Sequence, residues 1–571
     1  MISSAAWIAR GKAARHPTKF EVNDEEVARM GELARRELGV ANAQLAEAQA
    51  ADDDGWEDEA DGGDGAGGGS DDDDGDEDDD DEDDDMDDAG AAPDDLTRYR
   101  LDEYDAEPSQ SIAMGALSNI RGLQAFRDND KDPYITLKDD AGDDAEEREQ
   151  LEVLPSDNLI ATAKTEDDVS MLEVYVYSAT DENLYVHHDL LLPAFPLDLA
   201  WLDYTPAPAS ASRGTVAGTM GNLVAIGTMD PEIEIWNMDT VEAMYPDAIL
   251  GRKDLTEALD APAGTGKKRR RTPKARVPNA THHVDAVLSL SWNPRVRNLL
   301  ASGSADTTVK MWDLSRPCAG TEACALRSFD AHTDKVQSVA WQVSAAGPAS
   351  GTENPAVLLS GSYDKTIRVF DTRMPEQALC ASIPADVEGV RWNGWRENAF
   401  VVALETGAVQ GFDARNMGAP QYTLVAHDGA CTTLDVSPHI PGCLLTGGTD
   451  RQVKLWSVDG DGGGDGGGRP RSINLVTARD LDIGKVFTAS FSPNDPLTVA
   501  VAGSSGRLQV WDTLSNPGMR RTFGDRLRRM DEYAARLGDE VAPVHLDEAE
   551  ERSGVVHVAD DRESDEDDMD E

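Results

Sequence analysis

A serine, a histidine and an aspartate lie at a spacing that could support hydrolytic chemistry. His283 and Ser302 precede Asp306, and Trp312 follows Asp306 by six residues. In a serine hydrolase, residues of these types act as the nucleophile, the general base and the carboxylate that orients the base. The side chains therefore permit nucleophilic catalysis, and their repetition along the chain decides whether that interpretation holds.

The same set of four residues occurs twice more. The further sets are His332, Ser360, Asp364 and Phe370, and then His427, Thr446, Asp450 and Trp456. One chain rarely builds an active site three times, whereas a repeated structural unit needs the same buried polar bonds in every copy. The sequence therefore predicts three structural quartets, no catalytic residue and no enzyme activity.

Each quartet belongs to a longer repeat, which supplies the strands that must position it. An apolar strand leads into a turn that contains the aspartate, and a strand that alternates with period two follows and ends on an aromatic residue. Each histidine lies nine residues before the last residue of the next strand, at Trp292, Trp341 and Val436. The pattern resembles WD40 repeats, whose unit is about 40–45 residues in four strands. In such repeats the quartet is a hydrogen-bonded chain that holds the strands together.

Weaker copies extend the series to seven. The aromatic residues that close the copies are Tyr177, Trp236, Trp312, Phe370, Phe412, Trp456 and Trp511. Four of the intervals are longer than a normal repeat, and each long interval contains an insertion rich in Gly, Pro, Ala or charged residues, at 205–221, 241–281, 343–354 and 460–471. The sequence thus predicts an all-β, seven-bladed WD40 β-propeller over residues 151–520.

The net charge of −58 is concentrated outside these repeats. Residues 51–90 contain 24 Asp and Glu and no Lys or Arg, and residues 546–571 are similarly acidic. Such segments repel themselves and bury little, so the sequence predicts that they are disordered. The predicted divisions are an N-terminal docking segment with a short helix (1–50), a disordered acidic region (51–100), a lead-in and ring-closing segment (101–150), the propeller (151–520), and a short helix with an acidic tail (521–571).

Several functional classes receive no support. No stretch of about 20 apolar residues is present, so the sequence predicts no membrane span. The five cysteines indicate a reducing compartment with no disulfide framework, and their spacing is not that of a zinc site. The sequence therefore predicts no cofactor, no metal and no small-molecule substrate.

One dense basic cluster and two serines are candidates for regulation. The cluster lies in the insertion 241–281 and comprises Lys267, Lys268, Arg269, Arg270 and Arg271. It predicts a nuclear localisation signal or a contact with RNA phosphates, and the residues do not separate these two. Ser70 and Ser564 each precede a run of acidic residues and are candidate phosphorylation sites.

A propeller must also close its ring. The last blade shows three inner strands, and its fourth must come from elsewhere in the chain. Residues 133–138 alternate as a strand and are predicted to supply it, with the first blade's own innermost strand near 151–154. The competing choice is 520–523, directly after the last repeat.

Segments outside the generic repeats resemble the periodic tryptophan protein 1 family of WD-repeat proteins. The similar segments are 1–11, 101–105, 132–139, 155–160, 185–189 and 332–337. The resemblance implies a nucleolar factor in assembly of the large ribosomal subunit that is needed for ribosomal RNA maturation, with no catalytic residues to carry over. The expected partners are ribosome-assembly proteins and basic ribosomal proteins in large-subunit precursors, with local contacts to precursor rRNA.

Two other functions remain open at this stage. A histone-binding propeller that regulates ribosomal gene transcription would use acidic segments of the same kind, so these segments do not discriminate. A substrate receptor of a ubiquitin ligase would normally carry a separate adaptor motif, and the sequence shows none.

Overall fold

The computed structural model describes most of the repeat region and both strands that close it. The described residues are 1–20, 148–179, 182–207, 218–251, 278–316, 325–342, 354–459, 472–527 and 555–558. The acidic segments, the basic cluster and residues 133–138 lie outside these ranges. All described residues belong to one compact unit.

The fold is a seven-bladed β-propeller, as the sequence predicts. Each blade is a four-stranded antiparallel sheet. Blade one contains β1 (Ile2–Ile8), β3 (Asn158–Glu166), β4 (Val169–Ser178) and β5 (Asn183–Leu192), and blade two contains β6 (Pro196–Tyr204), β7 (Met220–Thr228), β8 (Ile233–Asn237) and β10 (Ala248–Leu250). Blade three contains β11 (Val287–Trp292), β12 (Leu299–Ser304), β13 (Val309–Asp313) and β14 (Ala325–Phe329), and blade four contains β15 (Val336–Trp341), β16 (Val357–Ser362), β17 (Thr366–Asp371) and β18 (Leu379–Ser382). Blade five contains β19 (Val387–Trp392), β20 (Ala399–Leu404), β21 (Ala408–Asp413) and β22 (Tyr422–Val425), and blade six contains β23 (Cys431–Val436), β24 (Cys443–Gly448), β25 (Gln452–Asp459) and β26 (Ser472–Asp480). Blade seven contains β27 (Val486–Phe491), β28 (Thr498–Gly503), β29 (Leu508–Asp512) and β30 (Val555–His557).

Short elements connect or cover the blades. Strand β2 (Thr18–Lys19) pairs in parallel with β9 (Thr240–Val241). A 3-10 turn at Pro375–Gln377 follows β17, and another at Thr513–Ser515 follows β29. Helix α1 (Pro517–Leu527) comes next, and it buries Met519, Phe523 and Leu527 against blades six and seven. The sequence predicts a short helix within 521–571, and α1 begins four residues earlier, at Pro517.

The seven innermost strands form a closed ring. Each of β1, β6, β11, β15, β19 and β23 contacts the innermost strand of the next blade, and β27 contacts β1. At five of the seven blade boundaries, a side chain at one position of these strands accepts the backbone N–H of the neighbouring strand. The pairs are Ser4 with Leu199 (3.3 Å), Asp198 with Leu290 (2.8 Å), Ser289 with Val339 (3.2 Å), Ser338 with Val390 (3.2 Å) and Thr433 with Ala489 (3.2 Å).

The apolar core lies between adjacent sheets. Ala301, Val309 and Met311 of blade three pack against Val336 and its neighbours in blade four, and similar clusters fill the other boundaries. The sheets approach closely where the second strand contains glycine. A Cβ on Gly361 would lie 2.5 Å from Val387 Cγ1, so a side chain there would push the next blade outward.

The predicted first strand of blade one is wrong. Residues 151–154 form no strand, and Val153 N–H instead donates to the carbonyl of Arg15. The innermost strand is β1, which pairs with β3 from Ile2 opposite Lys164 to Ile8 opposite Leu159. The propeller therefore begins at residue 2 rather than at 151, and the first residues of the predicted docking segment are part of the ring.

The predicted fourth strand of blade seven is also wrong. Strand β30 occupies that position and pairs with β29. Residues 520–523, the competing choice, lie within α1. Both ends of the chain therefore contribute a strand, and each packs beside the boundary between blades seven and one.

Candidate functional site

The quartet of blade three forms an unbroken chain of hydrogen bonds. His283 Nδ1 lies 2.9 Å from Asp306 Oδ2, and His283 Nε2 lies 2.7 Å from Ser302 Oγ. Trp312 Nε1 donates to the same Ser302 Oγ at 2.8 Å. The histidine comes from the loop before β11, the serine from β12, the aspartate from the following turn and the tryptophan from β13. The chain thus connects β12 and β13 with the turn between them and with the loop that precedes β11.

Blades four and six contain the same arrangement. In blade four, His332 bonds Asp364 (3.0 Å) and Ser360 (2.8 Å). Phe370 offers no N–H and packs on Phe329, with ring centroids 4.8 Å apart. In blade six, His427 bonds Asp450 (2.9 Å) and Thr446 (2.9 Å), and Trp456 Nε1 donates to Thr446 at 2.9 Å.

Burial sets the protonation state of these groups. It lowers the pKa of His283, His332 and His427 in spite of the adjacent carboxylates. Burial alone would raise the pKa of each aspartate, but hydrogen bonds from the histidine and from the following turn hold it below its usual range. An ionised aspartate only accepts, so Nδ1 carries the histidine proton and Nε2 accepts from the hydroxyl. Each serine or threonine hydroxyl of the quartets is buried and already bonded, so none of these three hydroxyls faces solvent as a nucleophile.

The aspartate also supports a strained turn. The next residue, Thr307, Lys365 or Arg451, has φ between +61° and +71°, a left-handed conformation that side chains rarely adopt. Asp306 Oδ1 accepts from Thr308 N–H at 3.0 Å and from its hydroxyl at 2.7 Å, which holds the turn across the strained residue. Blades five and seven have no such aspartate, and the same turn position is Gly407 or Gly506.

In the other blades, aromatic side chains have different hydrogen-bond partners or none. In blade two, Trp236 Nε1 donates to Glu234 Oε2 at 2.9 Å. Blade one contains a buried Glu173, which accepts from Tyr175 Oη at 2.5 Å and from Lys164 Nζ at 3.0 Å. In blade seven, Trp511 Nε1 is buried and has no hydrogen-bond partner.

The propeller face that bears the quartets is acidic around blades four and five. Glu388 lies near Asp386 and Glu405, and Tyr363 Oη donates to Glu388 at 3.3 Å. Burial raises the pKa of Glu388, and the two neighbouring carboxylates raise it further. Further exposed acids on this face include Asp168, Asp230, Asp334, Asp428 and Asp482. Lys365 pairs with Asp386 at 3.8 Å, and a cationic partner would further reduce the repulsion between these carboxylates.

The opposite face presents arginines in a repeated arrangement. Arg316, Arg373 and Arg415 follow the aspartate that ends the third strand of blades three, four and five. They pair with Asp313 (3.3 Å), Asp371 (2.6 Å) and Asp413 (2.8 Å), yet about 60% or more of each arginine side chain is exposed. Arginine presents several donors in a planar fork that suits phosphate and carboxylate groups. The sequence does contain a signal for this arrangement, an arginine two or three residues after the aspartate that ends the strand. The sequence-based prediction missed it.

Three groups of predicted residues lie outside the described part of the chain. They are the basic cluster Lys267–Arg271, Ser70 and Ser564. The structure brings together all three quartets, and it does not test the basic cluster or the two serines.

Comparison with known proteins identifies the family. The WD domain, G-beta repeat family matches residues 276–313, 324–371 and 418–457, the blades that contain the quartets. Periodic tryptophan protein 1 of Saccharomyces cerevisiae is 34% identical, over 94% of this chain and 93% of its own length. The chain belongs to the periodic tryptophan protein 1 family of WD-repeat proteins. An uncharacterised WD repeat-containing protein of Schizosaccharomyces pombe is 38% identical over 92% of each chain, and a periodic tryptophan protein 1 homologue of Drosophila melanogaster is 28% identical over 76% of this chain and 81% of its own.

The fold and the family fit a binding scaffold. A WD40 propeller is generally not catalytic. Among the residues that the structure describes, no helix is long and apolar enough to cross a membrane, and no three His, Cys, Asp or Glu side chains form a group that could hold a metal ion.

Proposed function

We propose that this family member is a non-enzymatic scaffold for assembly of the large ribosomal subunit and for rRNA processing in the nucleolus. The observation that carries the proposal is the likeness to periodic tryptophan protein 1, which extends over nearly the whole of both chains. A closed propeller supports this role because it offers two loop-rich faces and a rim on a rigid body, so several partners can bind at once.

The charges favour different partners on the two faces. The acidic face around Glu388 and Glu405 suits basic ribosomal proteins or assembly proteins. The opposite face, with Arg316, Arg373 and Arg415, suits local contacts with precursor rRNA. A chain of net charge −58 gains nothing from its overall field when it approaches RNA, so such contacts depend on individual arginines.

Purification of the full chain with a C-terminal tag tests the proposal. An N-terminal tag would be attached directly to β1 and is avoided. We expect the protein to sediment with large-subunit precursors in sucrose gradients at moderate salt and to copurify with their RNA. Sedimentation with nucleosomes in place of these particles would favour the histone-binding alternative and contradict the proposal.

Two sets of variants separate the faces. Arg373→Ala with Arg415→Ala removes exposed cations from one face, and Asp334→Ala with Glu405→Ala removes exposed anions from the other. We expect the first pair to reduce copurified RNA and the second pair to reduce copurified basic proteins. If both pairs have the same effect, the assignment of partners to faces is wrong.

A further inference from the structure

Three blades pair their third and fourth strands through a β-bulge. One extra residue stands in the fourth strand of each, namely His187 in blade one, Leu326 in blade three and Val476 in blade six. The other four blades pair these two strands without a register shift. A bulge bends its strand and interrupts the regular ladder. These three blades therefore share a local surface that the other blades lack.

The chain itself covers this surface in two of the three blades. In blade one, the carbonyl of Leu151 is bonded to His187 Nε2 at 3.0 Å, and Val153 is buried in the adjoining core. In blade six, helix α1 covers the surface and buries three apolar side chains in the cluster on which Val476 packs. These side chains are Met519, Phe523 and Leu527.

In blade three the same surface is an open groove. The groove lies between blades three and four and has a volume of about 370 Å³, and no segment within the described ranges covers it. Its apolar side chains correspond in register to those beneath α1. The corresponding pairs are Leu299 with Cys443, Met311 with Leu455, and Leu326 with Val476.

The far side of the groove also matches. Thr372 of blade four donates its N–H and its hydroxyl to one carbonyl, that of Ala356, at 2.8 and 3.0 Å. Thr513 of blade seven donates the same two groups to Leu497, at 2.9 and 2.7 Å. The groove is therefore the counterpart of the site that α1 fills between blades six and seven.

The open groove differs from the covered site in charge. Arg327 and Arg373 stand where the covered site has Thr477 and Leu514. Arg327 is exposed and donates to the Thr372 carbonyl at 2.7 Å, and no carboxylate among the described residues pairs with it. The side chain of Arg373 is 67% exposed. Carboxylates on the occupant would pair with these guanidinium groups.

We propose that this groove binds an acidic amphipathic helix of a partner protein. The helix takes the place that α1 takes between blades six and seven, and it buries apolar side chains at the spacing of Met519, Phe523 and Leu527. Residues four apart lie on one face of a helix, as grooves of this kind require. The site goes beyond the proposed rRNA contacts, because it places a protein on part of the same face.

The start of α1 specifies where the carboxylate belongs. Asn516 Oδ1 accepts from Gly518 N–H at 2.8 Å, and Asn516 Nδ2 donates to Thr477 Oγ1 at 2.8 Å. With Arg327 in place of Thr477, an aspartate at the position of Asn516 caps the helix with one oxygen and pairs with Arg327 through the other. A Cβ on Gly518 would lie 2.7 Å from the Val476 carbonyl oxygen, so the matching residue of the partner is small.

A peptide derived from α1 is the probe for this groove. It is a fluorescein-labelled peptide of residues 515–527 with Asn516→Asp. It also carries Arg520→Glu and Arg521→Glu, at two exposed positions of α1, so that it does not bind the acidic segments of the chain nonspecifically. A peptide of this length is mostly unfolded in water, which weakens its binding. The comparison between variants is therefore the readout.

Two charge reversals in the full chain test the site. Arg327→Glu changes the groove, and Lys335→Glu makes the same change at an exposed residue on the acidic face as a matched control. Both variants should melt like the wild type. We expect fluorescence anisotropy to show equal binding to the wild type and to Lys335→Glu, and at least tenfold weaker binding to Arg327→Glu. A probe with Asn516→Lys should show the opposite preference.

A second comparison requires no change in the propeller. A probe with Phe523→Ala should bind the wild type at least tenfold more weakly, whereas Thr522→Ala, at an exposed position of α1, should have no effect. If the wild type binds no probe, or binds it no better than Arg327→Glu does, the groove does not take an acidic helix. A probe that only replaced α1 in its own site would give that second result. Displacement of the probe by a single-stranded RNA oligonucleotide would place RNA in the groove and would likewise overturn the proposal.

Discussion

The indole Nε1 of Trp7 donates a hydrogen bond to the backbone carbonyl of Ser490, at 3.3 Å. The same contact occurs at two internal blade boundaries, where Trp341 donates to Ser291 and Trp392 donates to Ala340, each at 3.0 Å. The boundary between blades seven and one is therefore built like these two, although residues from distant parts of the chain form it.

Ring closure should contribute strongly to stability. Trp7→Ala removes a side chain that is 9% exposed from this boundary, and we expect the free energy of unfolding to fall by about 3–5 kcal/mol. Trp7→Phe keeps most of the apolar contact and loses the hydrogen bond, which should cost about 0.5–1.5 kcal/mol. Urea unfolding would measure both. A Trp7→Ala variant that unfolds like the wild type would show that the ring does not depend on β1.

The quartets should behave as structural units. Asp306→Ala leaves the Nδ1 proton of His283, in a buried site, with only the Thr308 hydroxyl at 3.4 Å as an acceptor, and it should lower the free energy of unfolding by about 1–3 kcal/mol. Asp428→Ala is a matched change at an exposed residue beside His427. It should change the free energy of unfolding by no more than about 0.5 kcal/mol. Thermal melting would compare the two. Loss of one binding activity with a normal melting curve in Asp306→Ala would contradict the structural role.

The sequence predicts those features that recur and misses those that occur once. Three quartets share one spacing, so each copy supports the assignment of the others, and the blade count follows. Strand β30 has only three residues within an acidic tail, too few for a periodic signal.

Strand β1 did leave a signal that the prediction missed. Ile2, Ser4 and Trp7 stand at the positions of Val287, Ser289 and Trp292 in β11. This match is hidden because β1 is separated from the next strand of its blade by about 150 residues, and its serines and alanines have little intrinsic preference for strands.

The turn between the second and third strands of blade five should tolerate only glycine. A Cβ on Gly407, at φ +78°, would lie 2.2 Å from the carbonyl oxygen of His427. We expect Gly407→Ala to lower the free energy of unfolding by at least about 2 kcal/mol, because backbone strain adds to the overlap. Lys365→Gly, at the matching turn of blade four, should be neutral or slightly stabilising, since it relieves a φ of +61°. Equal effects of the two changes in urea unfolding would contradict this explanation.

Stability should fall as the pH is lowered below about 6.5. In the unfolded chain, histidines take up a proton near this pH. Burial lowers the pKa of the three quartet histidines, and burial together with His187 lowers the pKa of His188 to about 4. The unfolded state therefore binds more protons in this range, so the free energy of unfolding is greatest above pH 6.5 and decreases as the pH falls toward the folded-state values.

Urea unfolding at several pH values checks this dependence. The slope should approach about 1.4 kcal/mol per pH unit for each histidine that is protonated only in the unfolded chain. His188→Gln should reduce this slope by the contribution of one histidine. A free energy of unfolding that is constant between pH 7 and 5 would mean that these histidines accept protons within the folded propeller.

The basic cluster Lys267–Arg271 should act mainly as a nuclear localisation signal. Replacing its five residues with alanine leaves the quartets and the ring contacts untouched, so we expect an unchanged melting temperature. The protein should then accumulate in the cytoplasm, as fluorescence microscopy of a C-terminal fusion would show, because a receptor that reads clustered positive charge no longer binds. An unrelated nuclear signal at the C-terminus should restore both location and function. If the protein re-enters the nucleus without recovering function, the same five charges contact RNA or a partner directly.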